Sequence, residues 1–199
     1  MVTSAIVMSD LLPRVRARSM VVVVAGALLT AALAQVSIPL GFTPVPLTLQ
    51  TFSVLLVGAV LGARLAAVSM GLYWVMGLVG LPFYAGGEGG WDAGTGATLG
   101  YLVGFVVAAA VVGLLAERRH DRSFITSLPA MLLGSAIIYA FGSAWLSVHL
   151  DVPLATGDRN AISLGVAPFL VGDAIKTVAA AACTSAAWAA LGGRVDRSV

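Results

Sequence analysis

Long apolar runs recur along the chain and constrain its fold more than any other feature of the sequence. A transmembrane helix needs roughly 20 consecutive apolar residues, and several runs approach or exceed that length. They are continuous and do not alternate in polarity, which argues against a transmembrane β-barrel. We therefore predict an all-α integral membrane protein, a bundle of six transmembrane helices in a single membrane domain over residues 1–199. The predicted spans are residues 20–36, 47–62, 65–83, 98–116, 124–148 and 166–191.

Charge is scarce, which fits a chain surrounded by lipid. Charged residues make up 10% of the sequence and hydrophobic residues 59%, whereas a soluble domain carries about 25% charged residues. The isoelectric point near 9.0 reflects arginines beside the apolar runs, so it does not indicate nucleic-acid binding. Lone Cys183 excludes an internal disulfide. We expect a multi-pass protein of the bacterial plasma membrane.

The basic residues are divided unevenly between the two sets of connecting segments. With the N-terminus placed inside, nine arginines fall on the inner side, Arg159 on the outer side, and Lys176 within a run. Cytoplasmic loops carry an excess of Lys and Arg, so this asymmetry predicts that both termini are cytoplasmic. The first run, with arginines before it, is similar to a signal peptide, but we expect a retained span because its basic end fits the overall pattern. The inner arginines are Arg14, Arg16, Arg18, Arg64, Arg118, Arg119, Arg122, Arg194 and Arg197.

The predicted outer loops are more elaborate than the inner ones. The first, residues 37–46, contains three prolines and should be extended and semi-rigid. The second, residues 84–97, is rich in glycine, which allows close backbone approach and unusual turns. The third, residues 149–165, is polar. Elaborate outer loops over short, basic inner ones indicate a site that opens outward.

Asp173 and Lys176 are full charges inside the last apolar run. A charge at mid-membrane costs at least about 2.5 kcal/mol, so it marks a functional site by default. The i, i+3 spacing places both side chains on one helical face, where they can meet each other or reach one ligand. Asp173 should lie roughly 10 Å below the outer start of its run. A structural ion pair between helices is the alternative, although such buried pairs can be costly.

Other candidate binding residues have simpler explanations beside the functional one. Thr48 could cap the helix that follows it, while Gln50 needs hydrogen-bond partners if its amide is buried. Tyr84 and Tyr101 could bind a ligand or belong to an interfacial aromatic belt. Ala27 and Ala31 are spaced for close helix packing, either within the chain or against another membrane protein.

Groups suited to enzyme chemistry are nearly absent. His120 and His149 have no partner at metal-ligand or catalytic-triad spacing. The run at residues 94–100 is superficially similar to a nucleotide-binding loop but lacks the required lysine. We expect no catalytic residue, no metal site and no cofactor, and so not an enzyme.

Four stretches together resemble the biotin-specific substrate-binding (S) component of energy-coupling-factor (ECF) transporters, the BioY family. They are residues 44–52 (PVPLTLQTF), 77–83 (GLVGLPF), 94–102 (GTGATLGYL) and 172–176 (GDAIK). The resemblance implies a six-helix bundle that captures biotin from outside with high affinity. It also implies a transmembrane coupling protein and two cytoplasmic ATPases as partners, and a docking face similar to the one that holds Ala27 and Ala31. Self-association of copies is left open.

Within that resemblance, we expect the substrate-binding residues to be Asp173, Lys176, Gln50, Thr48, Tyr84, Thr95, Gly96 and Tyr101. An ionised carboxylate only accepts and an ammonium only donates hydrogen bonds. Asp173 is therefore expected to accept a ureido N–H of biotin, while Lys176 donates to the ureido oxygen. In the competing pose Lys176 binds the biotin carboxylate. The alternatives are an S component for another vitamin, and an ion-coupled secondary transporter with Asp173 as a proton relay.

Overall fold

The computed structural model describes residues 7–8 and 18–195, and helices account for most of the second range. A two-stranded antiparallel sheet, β1 (Ser37–Ile38) with β2 (Leu47–Thr48), pairs Ser37 with Thr48 and Ile38 with Leu47. The described helices are α1 (Arg18–Ala34), α2 (Gln50–Leu61), α3 (Ala63–Leu78), α4 (Trp91–Thr95), α5 (Leu99–Glu117), α6 (Phe124–Leu150), α7 (Ala161–Gly165) and α8 (Leu170–Val195).

Apolar helices dominate the described part of the chain, which confirms the predicted all-α class. The helical segments Leu99–Glu117, Phe124–Leu150 and Ala161–Leu191 are long and apolar enough to cross a membrane by length and composition. The apolar helices at Ser19–Ala34, Gln50–Leu61 and Ala63–Leu78 are shorter. Six membrane crossings therefore stay a prediction.

Several helix ends differ from the apolar runs that predicted them. The second run was placed at residues 47–62, but α2 begins at Gln50 because Leu47 and Thr48 pair with β1. The third was placed at residues 65–83, but α3 ends at Leu78 and is followed by Gly80 with a φ of 102°. Apolar composition alone does not show where a helix ends and the following turn begins. The second and third predicted outer loops also contain the short helices α4 and α7.

Glycines allow the central helix α5 to approach its neighbours closely. A Cβ added at Gly58 of α2 would lie 2.9 Å from the Ala109 carbonyl oxygen of α5. A Cβ at Gly104 of α5 would lie 3.1 Å from the Cα of Ile138 in α6. A Cβ would force a backbone shift at Gly58 and would be crowded at Gly104, so the small residues serve packing within the bundle.

A tight turn joins α2 to α3 with a single residue between them. Gly62 has a φ of 78°, a conformation that side chains rarely adopt. The first amide of α3, at Ala63, donates to the Glu117 carboxylate at a distance of 2.8 Å. The end of α5 therefore satisfies one of the unpaired N–H groups at the start of α3.

Candidate ligand cavity

A cavity of about 340 Å³ lies between the first two predicted outer loops and the helices α2, α5, α6 and α8. This volume falls within the roughly 300–1,000 Å³ of small-molecule sites. The loop segments contribute Gln35, Ser37, Pro39, Leu40, Thr43, Pro44, Val45, Pro46, Thr48, Tyr84, Ala85, Gly86, Glu88 and Ala93. The helices and their immediate starts contribute Gln50, Thr51, Thr98, Tyr101, Leu102, Phe105, Ile138, Tyr139, Phe169, Asp173 and Lys176.

The lining residues differ in exposure between two ends, which we name the rim and the base. The rim consists of the exposed residues Gln35, Pro39, Pro44, Gly86 and Glu88. The base consists of the buried lining residues of helices α2, α5, α6 and α8, which are Gln50, Tyr101, Leu102, Phe105, Ile138, Asp173 and Lys176. The cavity therefore runs from solvent at the loops to a buried floor between the helices.

Asp173 and Lys176 meet at the base, on the first turns of α8. The Lys176 Nζ lies 2.6 Å from the Asp173 Oδ1, and the two residues are 9% and 6% exposed. The expected i, i+3 contact is thus made within one helix. Because the pair joins residues of the same helix, it does not bind one helix to another.

Two further side chains hold the Asp173 carboxylate. The Thr51 hydroxyl of α2 donates to Oδ1 at 3.1 Å, and the Tyr139 hydroxyl of α6 donates to Oδ2 at 2.6 Å. With Lys176, the carboxylate accepts from three helices, α2, α6 and α8. Sequence reasoning missed Thr51 and Tyr139, although a hydroxyl inside an apolar run was an available signal in both cases.

Gln50 and Thr48 form a second polar group on the cavity wall. The Thr48 hydroxyl donates to the Gln50 Oε1 at 2.8 Å, and the Gln50 Nε2 donates to the Tyr73 hydroxyl at 2.5 Å. The Gln50 backbone N–H also donates to the Thr48 hydroxyl at 3.3 Å. The N-cap of α2 is Leu49, which makes no side-chain capping bond, so the structure does not support the capping explanation of Thr48. Gln50 has the partners that a buried amide requires.

Tyr84 and Tyr101 line the cavity, but their hydroxyl groups bind backbone oxygens. The Tyr84 hydroxyl donates to the Trp74 carbonyl at 2.6 Å, and the Tyr101 hydroxyl to the Gly165 carbonyl at 2.7 Å. Burial raises the pKa of Tyr84, which lies in the loop after α3, to about 12. The Tyr84 phenol is thus protonated and able to donate at neutral pH.

Thr95 and Gly96 lie outside the set of residues that line the cavity. The Thr95 hydroxyl donates to the Trp91 carbonyl at 2.8 Å, and the Gly96 carbonyl accepts from the Trp145 indole at 2.8 Å. The Trp74 indole similarly donates to the Gly94 carbonyl at 3.1 Å. These two indoles hold the glycine segment in place, while Ala93 and Thr98 form that part of the wall.

Ala27 and Ala31, the predicted docking residues, are 2% and 7% exposed and pack in the core. They are therefore not on the surface of this chain, and packing within the bundle is the role that their burial supports. The exposed face of α1 carries larger apolar side chains instead. Its members include Met20, Val21, Val24 and Leu28.

Residues 7–193 match the model of the BioY family. The chain belongs to the BioY family. The resemblance predicted from the four stretches is thereby confirmed. The biotin transporter BioY of Thermotoga maritima is 43% identical over 149 residues, which cover 74% of this chain and 82% of that protein. The biotin transporter BioY of Rhizobium etli is 38% identical, with coverage of 72% and 78%.

A comparison with solved structures agrees with the sequence matches. The S-component for biotin from an ECF-type ABC transporter superimposes with a TM-score of 0.75 at 27% identity, covering 85% of this chain and 90% of that chain. The relatives are named as transporters, so membership of the BioY family places this chain among membrane transport proteins and not among enzymes. Among residues 7–8 and 18–195, no cluster of His, Cys, Asp or Glu could hold a metal ion.

Proposed function

We propose that this chain is the biotin-binding S component of an ECF-type transporter in the bacterial plasma membrane. The observation that carries the proposal is the buried Asp173–Lys176 pair at the base of a cavity that reaches solvent between the loops. It supplies an acceptor and a donor side by side, as a ureido ring requires. The names of the family relatives and of the superimposed structure support biotin as the ligand.

The proposed orientation has the rim facing outward and both termini in the cytoplasm. This orientation is supported by the distribution of arginines, because nine fall on the predicted inner side and one on the predicted outer side. Of the rim residues, Pro39, Pro44, Gly86 and Glu88 lie in predicted outer loops, and Gln35 lies just before the first of them. Biotin would then enter from outside and reach the base without crossing the bundle.

In the proposed pose, the ureido ring lies at the base against Asp173 and Lys176. The carboxylate oxygens together have about four lone-pair sites, and three are occupied by Thr51, Tyr139 and Lys176. One site therefore remains for a ureido N–H. The Lys176 ammonium has three N–H groups and makes one hydrogen bond among the described residues, so two are free for the ureido oxygen. The apolar residues Leu102, Phe105 and Ile138 suit the ring and the aliphatic tail.

A comparison of biotin with biotin methyl ester tests this pose against its competitor. In the proposed pose the ester binds nearly as tightly as biotin, and Lys176→Ala weakens both ligands equally. In the competing pose, the loss of the tail charge and the loss of Lys176 have similar effects that do not add. That second result would assign Lys176 to the carboxylate.

The proposed partners are a transmembrane coupling protein and two cytoplasmic ATPases, and biotin is a transported ligand rather than a cofactor. The chain lacks a P-loop lysine motif of its own, so we propose that the ATPases supply the energy. Biotin uptake by cells that express the chain with and without these partners tests the assignment. We expect strong dependence on the partners. Uptake that needs only an ion gradient, and that an ionophore abolishes, would favour a secondary transporter.

A further inference from the structure

The ionisable groups that line the cavity are distributed unevenly between base and rim. Asp173 and Lys176 form an ion pair at the base, where each balances the charge of the other. Of the described residues that line the cavity, Lys176 is the single Lys or Arg, and Glu88 adds an acidic group at the exposed rim. The charge of Glu88 is therefore not balanced inside the cavity.

The position of Glu88 is fixed by its backbone, while its side chain is exposed. The Glu88 carbonyl accepts from the Tyr84 N–H at 3.0 Å, across the turn at Ala85–Gly87. The Gln35 side chain in turn donates to the Tyr84 carbonyl at 3.3 Å, which connects this turn to the end of α1. No ion pair to Glu88 occurs in residues 18–195, so its charge is available to a ligand at the rim.

The surrounding loops do not compensate for this charge. The described outer loops also carry Asp92, Asp151 and Asp158, against Arg159 as the one Lys or Arg. A ligand whose tail ends in a carboxylate would therefore place a negative charge near a negative rim. A ligand whose tail is an amide avoids that repulsion, and a tail that ends in an ammonium gains attraction.

We propose that Glu88 selects the tail of the ligand, so that the site binds biotin joined through its carboxyl group to an amine, as in biotinyl-lysine, at least as tightly as free biotin. This inference rests on the proposed function and on the pose with the ureido ring at the base. It makes biotinylated amines and short biotinylated peptides a substrate class of the same site. The carboxylate oxygens of Glu88 can also accept a hydrogen bond from the N–H of the tail amide or from a terminal ammonium.

Competition binding on the purified full chain tests the inference with three probes that differ in the tail charge. The probes are biotin, biotinamide and N-biotinyl-ethylenediamine, which carry a negative, a neutral and a positive tail. In the unaltered chain, the Kd of biotin divided by the Kd of the cationic probe is expected to exceed one. Glu88→Gln should lower this ratio about threefold to tenfold, and added salt should lower it in the unaltered chain because exposed charges are screened.

Asp92→Asn is the matched control, because it removes the same charge from an exposed residue of α4 that does not line the cavity. It should leave the ratio within about twofold of the unaltered value. Equal effects of both substitutions would overturn the role of Glu88 in favour of a diffuse surface charge. Biotin binding at least tenfold tighter than biotinamide, unchanged by Glu88→Gln, would overturn the inference but not biotin binding. Failure of all three probes to bind the folded chain would overturn the proposed function as well.

Discussion

Asp173 is stabilised in the bundle by three donors on three different helices. A buried carboxylate needs partners to be tolerated, and Thr51, Tyr139 and Lys176 provide them. The same contacts fix the direction in which its remaining lone pair points, which is what a binding site requires. In the Asp173–Lys176 pair each buried charge is balanced by the other. The same pair is the proposed contact for a ligand.

The Tyr139 hydroxyl can be removed without emptying its place in the cavity wall. Tyr139→Phe deletes the 2.6 Å hydrogen bond to Asp173 and leaves the ring in position. A hydrogen bond to a charged group contributes about 1.5–3 kcal/mol, so we expect biotin affinity to fall roughly tenfold or more. Ser143→Ala, which deletes a hydroxyl that donates within the same helix, is the control. Equal losses in the two variants, measured by calorimetry, would show that Tyr139 does not orient Asp173.

A double substitution separates the binding role of the pair from a purely structural one. Lys176→Met leaves the Asp173 charge buried without its cation, which should cost about 3–5 kcal/mol of stability. Adding Asp173→Asn should recover much of that loss, as measured by thermal unfolding in detergent. Biotin binding should be much weaker in both variants than in the unaltered chain. Binding of biotin by the double variant at the original affinity would restore the structural ion pair as the explanation.

Long apolar helices can be predicted from the sequence more easily than short elements in the loops. The continuous apolar runs located α5, α6 and α8 because each is long and strongly apolar. The pairing of β1 with β2 and the short helix α4 were not predicted, since they depend on a few local hydrogen bonds in loops rich in proline and glycine. The burial of Ala27 and Ala31 could not be predicted from the sequence either, because the spacing of residues shows which of them share a helix face and not what covers that face.

Close packing of α2 on α5 should make Gly58 intolerant of even one methyl group. A Cβ at Gly58 would lie 2.9 Å from a backbone oxygen, so Gly58→Ala should destabilise the protein by about 1–3 kcal/mol. Gly71 in α3 is the matched control, because a Cβ there meets no atom within 4 Å. Gly71→Ala should be neutral or slightly stabilising, since alanine favours helices. Thermal unfolding of both variants checks this, and the opposite order would contradict the helix contact.

At the scale of the whole molecule, the site depends on contacts between distant parts of the chain. The Thr51 hydroxyl and Asp173 are 122 positions apart in sequence, and Tyr139 and Asp173 are 34 apart. Local patterns could single out Asp173, Lys176 and Gln50 as polar groups in apolar runs. They could not show which other hydroxyls reach them, nor that Thr95 and Gly96 do not line the cavity, because these facts follow from how the helices assemble.

The proposed orientation of the bundle predicts which positions an impermeant thiol reagent reaches from outside intact cells. In a Cys183→Ala background, Asp158→Cys lies in a predicted outer loop and should be labelled directly. His120→Cys, in the connector between α5 and α6, should be labelled only after permeabilisation. Both native residues are exposed, so accessibility within the fold is matched. The reverse labelling pattern would place the rim in the cytoplasm.

Calorimetric titration of the purified full chain with biotin, thiamine and riboflavin tests the central claim most directly. A cavity whose base carries an adjacent acceptor and donor for a ureido ring should bind biotin in a one-to-one complex and show no heat of binding for the other two vitamins. Binding of thiamine or riboflavin in place of biotin by the folded chain would contradict the account.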